Sequence, residues 1–145
     1  MLDRAWIVAH IPHRGRMCLL DAVAEWSPTS IRCVSASHRH PDNPLRADGR
    51  LGAACGIEYA AQAMAIHGAL LADRGDPPRQ GYLASVRGVD LLVERLDDIE
   101  ADLDVEAERL SGDDNNILYR FDIYADGRLL LAGRAAVILD AAALK

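Results

Sequence analysis

The sequence contains little proline and little cysteine, and both shortages narrow what the protein can be. Only 6 of its 145 residues are proline, 50% are hydrophobic and 26% are charged, so the composition excludes a disordered or fibrous chain. Cys18, Cys33 and Cys55 are an odd number at wide spacings, which excludes a disulfide framework and a CxxC metal site. We therefore expect one soluble globular domain over residues 1–145, with its thiols reduced.

Positive charge is also scarce, and the signature of an export signal is missing. The 16 Lys and Arg residues against 22 Asp and Glu give a net charge of −6, which repels nucleic acid at long range. We expect no nucleic-acid partner. The first ten residues lack the basic start, apolar run and small-residue cleavage site of a secretory signal, which, with the reduced thiols, predicts a cytoplasmic protein.

One segment, residues 51–72, is apolar almost throughout. Glu58 is its only formally charged side chain, taking His67 as neutral. The segment is long enough to span a bilayer, but its many alanines and glycines, together with Glu58, Gln62 and His67, favour a helix buried inside a protein. We therefore predict a long central helix and no membrane span.

Six other runs of residues have the composition and alternation typical of β-strands. Two precede the apolar segment and four follow it, over residues 17–26, 29–37, 81–93, 99–110, 117–124 and 128–139. Turn residues at 27–28, 113–116 and 126–127 favour antiparallel pairing of consecutive strands. The pattern predicts an α+β protein in which a six-stranded antiparallel sheet wraps round the central helix.

Glu58 is the first candidate for chemistry. A carboxylate in the middle of an apolar helix has a large desolvation cost unless it is paired, protonated or faces a cavity. Burial of such a group favours the protonated form that a general acid needs. Gln62 lies four residues further on, on the same helical face, where it would orient Glu58 or bind the same ligand. The structural alternative is a buried ion pair between Glu58 and an arginine of the sheet.

A second candidate group lies before the helix, where two prolines prevent regular structure. His38 and His40 both lie in this segment, and histidine suits proton abstraction because its ordinary pKa is close to neutral. Either ring would form an acid–base pair with Glu58, and either is also compatible with a solvated loop position. A His-x-His pair suggests a metal, but no third ligand follows at a recognisable spacing, so we predict no metal site.

Two further residues of the apolar segment carry weaker signals. His67 lies about two and a half turns beyond Glu58 and points to the opposite side of the helix, which favours a structural role. Cys55 shares the face of Glu58, but a nucleophilic thiol needs a nearby base and none is evident, so core packing is favoured.

Several motifs between residues 11 and 70 are familiar in combination. They are IPHR (11–14), LLD (19–21) and GIEYAAQAMA (56–65), followed by a histidine and a glycine. The sequence resembles the hotdog-fold 3-hydroxyacyl-acyl-carrier-protein dehydratases in these motifs. It is most similar to the branch associated with aryl polyene biosynthesis, through SH at 37–38 and NPLR at 43–46.

The resemblance implies a hotdog fold and a dimer, with an identical chain or with another hotdog dehydratase. In that family a loop histidine removes the α-proton of the thioester, and an acidic helix residue of the other subunit assists departure of the 3-hydroxyl group. Glu58 takes the acidic role here. A longer segment replaces the usual Gly-His-Phe-Pro-Gly, and His38 is assigned as the base because it opens the Ser-His…Asn-Pro-Leu-Arg pattern of the closer branch, with His40 in reserve. Gln62, Asn43, Arg46 and Gly52 are assigned to substrate binding.

The reaction that the resemblance implies is dehydration of a 3-hydroxyacyl thioester to the trans-2-enoyl thioester, in fatty-acid-like or aryl polyene biosynthesis. No cofactor is expected beyond the phosphopantetheine of the acyl carrier protein that holds the substrate. Because the chain and the carrier are both acidic, binding needs clustered arginines, for which Arg14, Arg16, Arg46 and Arg50 are candidates. Two alternatives stay open: an acyl thioesterase in which Glu58 activates water, and a non-catalytic partner of a second dehydratase.

Overall fold

The computed structural model describes residues 1–11, 15–71, 82–113 and 116–138. Over these ranges the chain forms an antiparallel sheet with a long helix on one face. The strands are β1 (Leu2–Asp3), β2 (Ala22–Ser27), β3 (Ser30–Ser35), β4 (Tyr82–Leu91), β5 (Leu103–Gly112), β6 (Asn116–Ala125) and β7 (Arg128–Ile138). The helices are α1 (Arg4–His10) and α2 (Gly56–Leu71), and single 3-10 turns lie at Gly15–Met17, Ser37–Arg39 and Ala53–Cys55. The predicted motif at 12–14 and turn centre at 114–115 lie outside the described residues.

The α+β class and the hotdog arrangement are confirmed, since the sheet curls round α2. The helix packs against β3, β5 and β6. Alternate residues of these strands face it and are buried, among them Cys33, Val105 and Phe121. Burying each large apolar side chain of this kind contributes about 1.5–3 kcal/mol, so the helix–sheet contact forms the core of the fold.

The central helix begins five residues later than predicted. Gly52 forms an isolated bridge to Arg95, and the next three residues form a 3-10 turn, so regular α-helix starts only at Gly56. A Cβ atom at Gly56 would lie 2.8 Å from Leu131 Cδ2, and the missing side chain allows this close approach to the sheet. No described helix is long and apolar enough to cross a membrane.

The predicted count of six strands is wrong by one, and the N-terminal elements were missed. β1 has two residues, too few to show an alternation in sequence. In α1, the Trp6 N–H donates to Asp3 Oδ1 at 3.0 Å, so Asp3 caps the helix. That aspartate before an apolar position at Ile7 is a signal from which the helix was predictable.

The expectation that consecutive strands pair holds for β2–β3 and for β5–β6–β7, but it is wrong for β4. The sheet order is β1-β2-β3-β5-β6-β7-β4. β3 takes the edge of β5 that β4 was expected to fill, and β4 pairs with β7 at the far side. Alternation shows which face of a strand is buried, but not which strand lies beside it. The predicted hairpin at Asp126-Gly127 is confirmed, with both residues at positive φ (51° and 77°) as a type I′ turn requires.

Candidate active site

The loop of residues 92–102 fixes the start of the central helix. The Leu96 N–H donates to the Leu51 carbonyl at 2.7 Å, and the Leu51 N–H donates to Asp97 Oδ1 at 2.8 Å. Arg95 Nε also donates to Asp97 Oδ1 at 3.0 Å. These two donors, Arg95 first, hold the pKa of the Asp97 carboxyl well below its usual range. The ionised Asp97 carboxylate thus holds Leu51 in place, just before the 3-10 turn that leads into α2.

Glu58 lies in the first turn of α2 and is half-buried in the single chain. The first turn of a helix carries N–H groups that have no partner within the helix, so backbone donors lie close to a side chain at this position. The sequence predicts a desolvated carboxylate in the middle of a helix. The structure instead places Glu58 at the start of the helix, where its side chain stays partly accessible to solvent.

Gln62 is completely buried and joins Glu58 to the N-terminal segment. Its Nε2 donates to Glu58 Oε1 at 3.3 Å and to the Met17 carbonyl at 2.7 Å. Its Oε1 accepts the Leu19 N–H at 2.9 Å. Both hydrogens of Nε2 are therefore engaged within the protein. This geometry fits the first of the two roles considered for Gln62, which is to orient Glu58.

His38 is completely buried in the 3-10 turn before the helix, and its two ring nitrogens differ. Nε2 lies 2.9 Å from the Ile99 carbonyl, which only accepts, so Nε2 carries a hydrogen. Nδ1 is buried without a hydrogen-bond partner among the described atoms. Burial lowers the pKa of His38, against the opposing effect of the Ile99 carbonyl. The neutral ring therefore offers an unshared lone pair on Nδ1.

His40, the reserve candidate, has a different environment. Its side chain is 62% exposed. Its Nδ1 accepts the Asp42 N–H at 3.1 Å, and the Asp42 carboxylate lies 4.0 Å from the same nitrogen. The lone pair that a base would use is thus engaged by the backbone in His40, whereas it is unshared in His38.

Tyr59 joins the histidine loop, residues 37–46 with His38 and His40, to the central helix. Its ring is completely buried, and its hydroxyl accepts from Asn43 Nδ2 at 2.9 Å. The Tyr59 hydroxyl also lies 2.7 Å from Ser37 Oγ. Because Ser37 donates its own hydrogen to the Leu19 carbonyl at 2.8 Å, Tyr59 donates to Ser37. Burial raises the pKa of Tyr59, so the hydroxyl keeps the proton that this contact needs. This hydrogen bond links Tyr59, the residue after Glu58, to Ser37, the residue before His38.

The other predicted binding residues are arranged round the same loop. Asn43 is almost completely buried. Besides the Tyr59 hydroxyl, it binds the Ser37 carbonyl and the Leu45 N–H, both at 2.9 Å. Arg46 donates to the His38 carbonyl at 3.4 Å. Gly52 is exposed at the N-cap of the 3-10 turn that leads into α2. Asn43 and Arg46 thus shape the histidine loop, and Gly52 lies at the helix start.

The arginines that were expected to cluster for a carrier protein are partly engaged. Arg16 Nη2 lies 3.3 Å from Asp42 Oδ2, beside a cavity of about 320 Å³ that the histidine loop lines. Arg46 also donates to the Gly49 carbonyl at 3.1 Å. Arg50 is exposed, and Arg14 lies outside the described residues. Among the described side chains, no group of three or more His, Cys, Asp or Glu is placed to hold a metal ion.

Sequence reasoning missed three contributors to this site. Tyr59 carried a usable signal, because a buried tyrosine needs a partner for its hydroxyl and this one directly follows Glu58. Asp97 and Ile99 carried none. Asp97 lies in a loop with several acidic residues, and Ile99 acts through its backbone carbonyl, which every residue has.

The family model described as ApeP-like, ApeP dehydratase, matches residues 6–144. The chain belongs to the ApeP-like dehydratase family. The dehydratase resemblance that the motifs suggested is therefore confirmed, and it extends from residues 11–70 to nearly the whole chain. A comparison with curated protein sequences finds no match.

Solved structures agree with the fold of this ApeP-like dehydratase. The dehydratase heterocomplex ApeI:P from Xenorhabdus doucetiae is similar with a TM-score of 0.81 at 24% identity, covering 92% of this chain and 90% of the matched chain. Zebrafish thioesterase superfamily member 2 is similar with a TM-score of 0.67 at 15% identity, covering 94% and 95%. The mouse thioesterase superfamily member 2 gives a TM-score of 0.58 at 14% identity, covering 82% and 81%. Dehydratases and thioesterases thus share this fold.

Proposed function

We propose that this member of the dehydratase family removes water from a 3-hydroxyacyl thioester carried on an acyl carrier protein, in fatty-acid-like or aryl polyene biosynthesis. The product is the trans-2-enoyl thioester. The observation that carries the proposal is the unshared Nδ1 of His38, buried in a loop that Tyr59 ties to the start of the Glu58 helix. A neutral imidazole with one engaged and one unshared nitrogen is the form that a general base needs.

The proposed reaction assigns one proton to each residue. His38 Nδ1 takes the α-proton, which the thioester carbonyl acidifies, and the C–H electron pair forms the new C2–C3 double bond. The C3–O bond breaks as the protonated Glu58 carboxyl gives its proton to the leaving hydroxyl, which departs as water. The proton then returns from His38 to Glu58 before the next turnover, so the protein is unchanged.

The remaining site residues act by holding the two reacting groups and the thioester. We assign Gln62 to the orientation of Glu58, because its amide hydrogens already bind Glu58 and the backbone. Asn43 and Arg46 shape the histidine loop along which the substrate would lie. Gly52 exposes the backbone at the helix start, where N–H groups would polarise the thioester carbonyl.

The proposed working unit contains a second hotdog chain. The ApeI:P structure is described as a heterocomplex, and this favours a different dehydratase chain over a second copy as the partner. The described cysteines are free thiols, which supports a cytoplasmic location.

Mass spectrometry of a 3-hydroxyacyl carrier protein tests this function. The protein is assayed alone and with a co-purified hotdog partner, as wild type and as Glu58→Gln, His38→Gln and His40→Gln. We expect the dehydrated product from wild type and from His40→Gln, the matched control. The Glu58 and His38 variants should lose at least about a hundredfold in rate, which is the usual contribution of a positioned acid or base.

Other outcomes point to the alternatives. Release of a free thiol without dehydration identifies a thioesterase, the activity of other proteins with this fold. Full activity of Glu58→Gln and His38→Gln in the presence of the partner identifies this chain as a non-catalytic subunit. Either result overturns the proposed function.

A further inference from the structure

Three arginines form a row across the outer face of the sheet, the face away from α2. Arg87 of β4 lies directly opposite Arg134 of β7, and Arg134 lies directly opposite Arg120 of β6. Directly opposite residues of antiparallel strands share a face, and all three side chains are exposed. Like charges in this arrangement destabilise a sheet, so the fold gains nothing from the row.

Much of this positive charge is unmatched. Arg120 has acidic neighbours, with Glu108 Oε1 at 3.9 Å and Asp122 Oδ2 at 3.6 Å. Arg87 and Arg134 make no ion pair within the described part of the chain. Two guanidinium groups without counter-charges are a local exception on a protein with a net charge of −6.

A groove of about 660 Å³ runs along the arginine row. Short residues line it between the arginines, namely Gly88, Ala132, Gly133 and Ala136. The sheet surface is therefore accessible there, and the three arginine side chains lie beside a shallow groove with small residues at its base. This shape admits a protein surface that carries carboxylates.

A chain that extends the sheet does not cover this groove. Such a partner would pair with the outer edge of β4, beside which the described residues place no strand, and lie in the plane of the sheet, about 4.8 Å from that strand. The outer face above β7 and β6 would stay open. The occupant that the arginine row fits is therefore a molecule that lies on the face of the sheet.

We propose that Arg87, Arg134 and Arg120 form the docking surface for the acidic acyl carrier protein, an inference that rests on the proposed function. Carboxylates along a carrier helix would neutralise the row. Asp90 lies in the next row of the same face, level with Ala132 of β7, and would repel a misaligned acidic partner, whereas Asp122 at the same level is paired with Arg120.

The docking surface is connected to the candidate active site by a short stretch of chain. The strand that carries Arg87 ends at Leu91 and continues into the loop of residues 92–102. That loop supplies the Ile99 carbonyl to His38 and holds the residues before α2. A carrier bound to the row would thus lie beside the strand that leads into the loop that contacts His38.

Charge reversal tests the proposal on the intact protein with its hotdog partner. Arg134→Glu and Arg87→Glu are compared with Arg128→Glu, an exposed arginine of β7 outside the groove. For each, KM is measured for a 3-hydroxyacyl carrier protein and for the same acyl group on pantetheine. We expect the ratio of the two KM values to rise at least tenfold for Arg134→Glu and Arg87→Glu and to stay unchanged for Arg128→Glu.

Direct binding of the carrier protein, measured by calorimetry at two salt concentrations, tests docking independently of the dehydration reaction. Binding that weakens in Arg134→Glu without any turnover by wild type supports docking and overturns the dehydratase function. Turnover with an unchanged ratio in both groove variants overturns docking alone. If the groove variants lose binding of coenzyme A or of the hotdog partner but keep binding of the carrier protein, the docking proposal is also wrong.

Discussion

Tyr59 of α2 and Tyr119 of β6 are both completely buried, and the hydroxyl of each lies against a polar partner. Tyr59 binds Ser37 beside His38, whereas Tyr119 lies 2.7 Å from His67 Nδ1. Each hydroxyl therefore contributes to stability in a similar way. Only that of Tyr59 is connected to the candidate active site.

This pair gives a matched test of positioning. Tyr59→Phe and Tyr119→Phe should each lower the free energy of unfolding by about 1–2 kcal/mol, the cost of losing buried hydrogen bonds. Only Tyr59→Phe should also lower kcat, by about tenfold, because the His38 loop loses its tie to α2. Urea unfolding and steady-state kinetics measure the two effects. Equal kcat values in the two variants would show that Tyr59 contributes to stability alone.

His67 confirms the structural expectation for the far side of the helix and predicts a pH dependence of stability. Its Nε2 donates to the Ser27 carbonyl at 2.8 Å, so Nδ1 accepts the Tyr119 hydroxyl, and the buried ring is neutral. Burial lowers the pKa of His67 in the folded state below its ordinary value of about 6.5. The unfolded chain therefore binds this proton first as the pH falls.

The stabilisation linked to His67 is thus fully present above pH ~6.5 and is lost as the pH falls below that value. Burial lowers the pKa of His38 as well, so the two residues act in the same direction. Urea unfolding at several pH values between about 7.5 and 5 should show this loss. His67→Gln should make the decline shallower, and an unchanged slope in that variant would contradict the assignment.

At the scale of an element, α2 contains two glycines with different surroundings. A Cβ at Gly56 would meet Leu131 Cδ2 at 2.8 Å and Ile123 Cδ1 at 3.2 Å, while a Cβ at Gly68 would meet nothing within 4 Å. The same substitution in the same helix should therefore have opposite effects. Gly56 is needed for close packing on the sheet, and Gly68 is not.

Gly56→Ala should lower the free energy of unfolding by about 1–3 kcal/mol, because the added methyl group forces Leu131 to move. Gly68→Ala should raise it by about 0.5–1 kcal/mol, because alanine restricts the unfolded chain and favours helix. Chemical denaturation of both variants measures the difference. Stabilisation by Gly56→Ala would mean that the helix does not approach the sheet as closely as described.

At the scale of the whole molecule, the inner face of the sheet is covered unevenly. The helix packs on β3, β5 and β6, and among the described residues the edge strand β4 keeps two large apolar side chains exposed. Leu83 and Leu91, which pair with the buried Val137 and Leu131, are 41% and 48% exposed. Exposed leucines on an edge strand favour association with another chain.

We expect Leu91→Glu to weaken association of the protein with its hotdog partner or with a second copy by at least tenfold. Leu110→Glu is the control, because this leucine on β5 has a similar exposure of 40% but lies on a strand that has neighbours on both sides. Sedimentation velocity over a range of concentrations measures the association. An equal effect of both substitutions would place the interface elsewhere.

Much of this protein was readable from its sequence because the relevant signals are local. Alternation, turn residues and one long apolar run gave the α+β class and the central helix, and short motifs gave the dehydratase family. Asp126-Gly127 predicted its hairpin because the backbone conformation there depends on those two residues. Glu58 was found because a carboxylate in an apolar segment needs an explanation.

Tertiary structure alone decided the order of the strands, the environments of the histidines and the arginine row. The position of β4 beside β7 depends on which sheet edge is free after β3 pairs with β5. The difference between the environments of His38 and His40 depends on a carbonyl sixty-one residues from His38, which engages Nε2 and leaves Nδ1 unshared. Contacts between distant segments are set by packing of the whole chain, and a linear pattern does not record them.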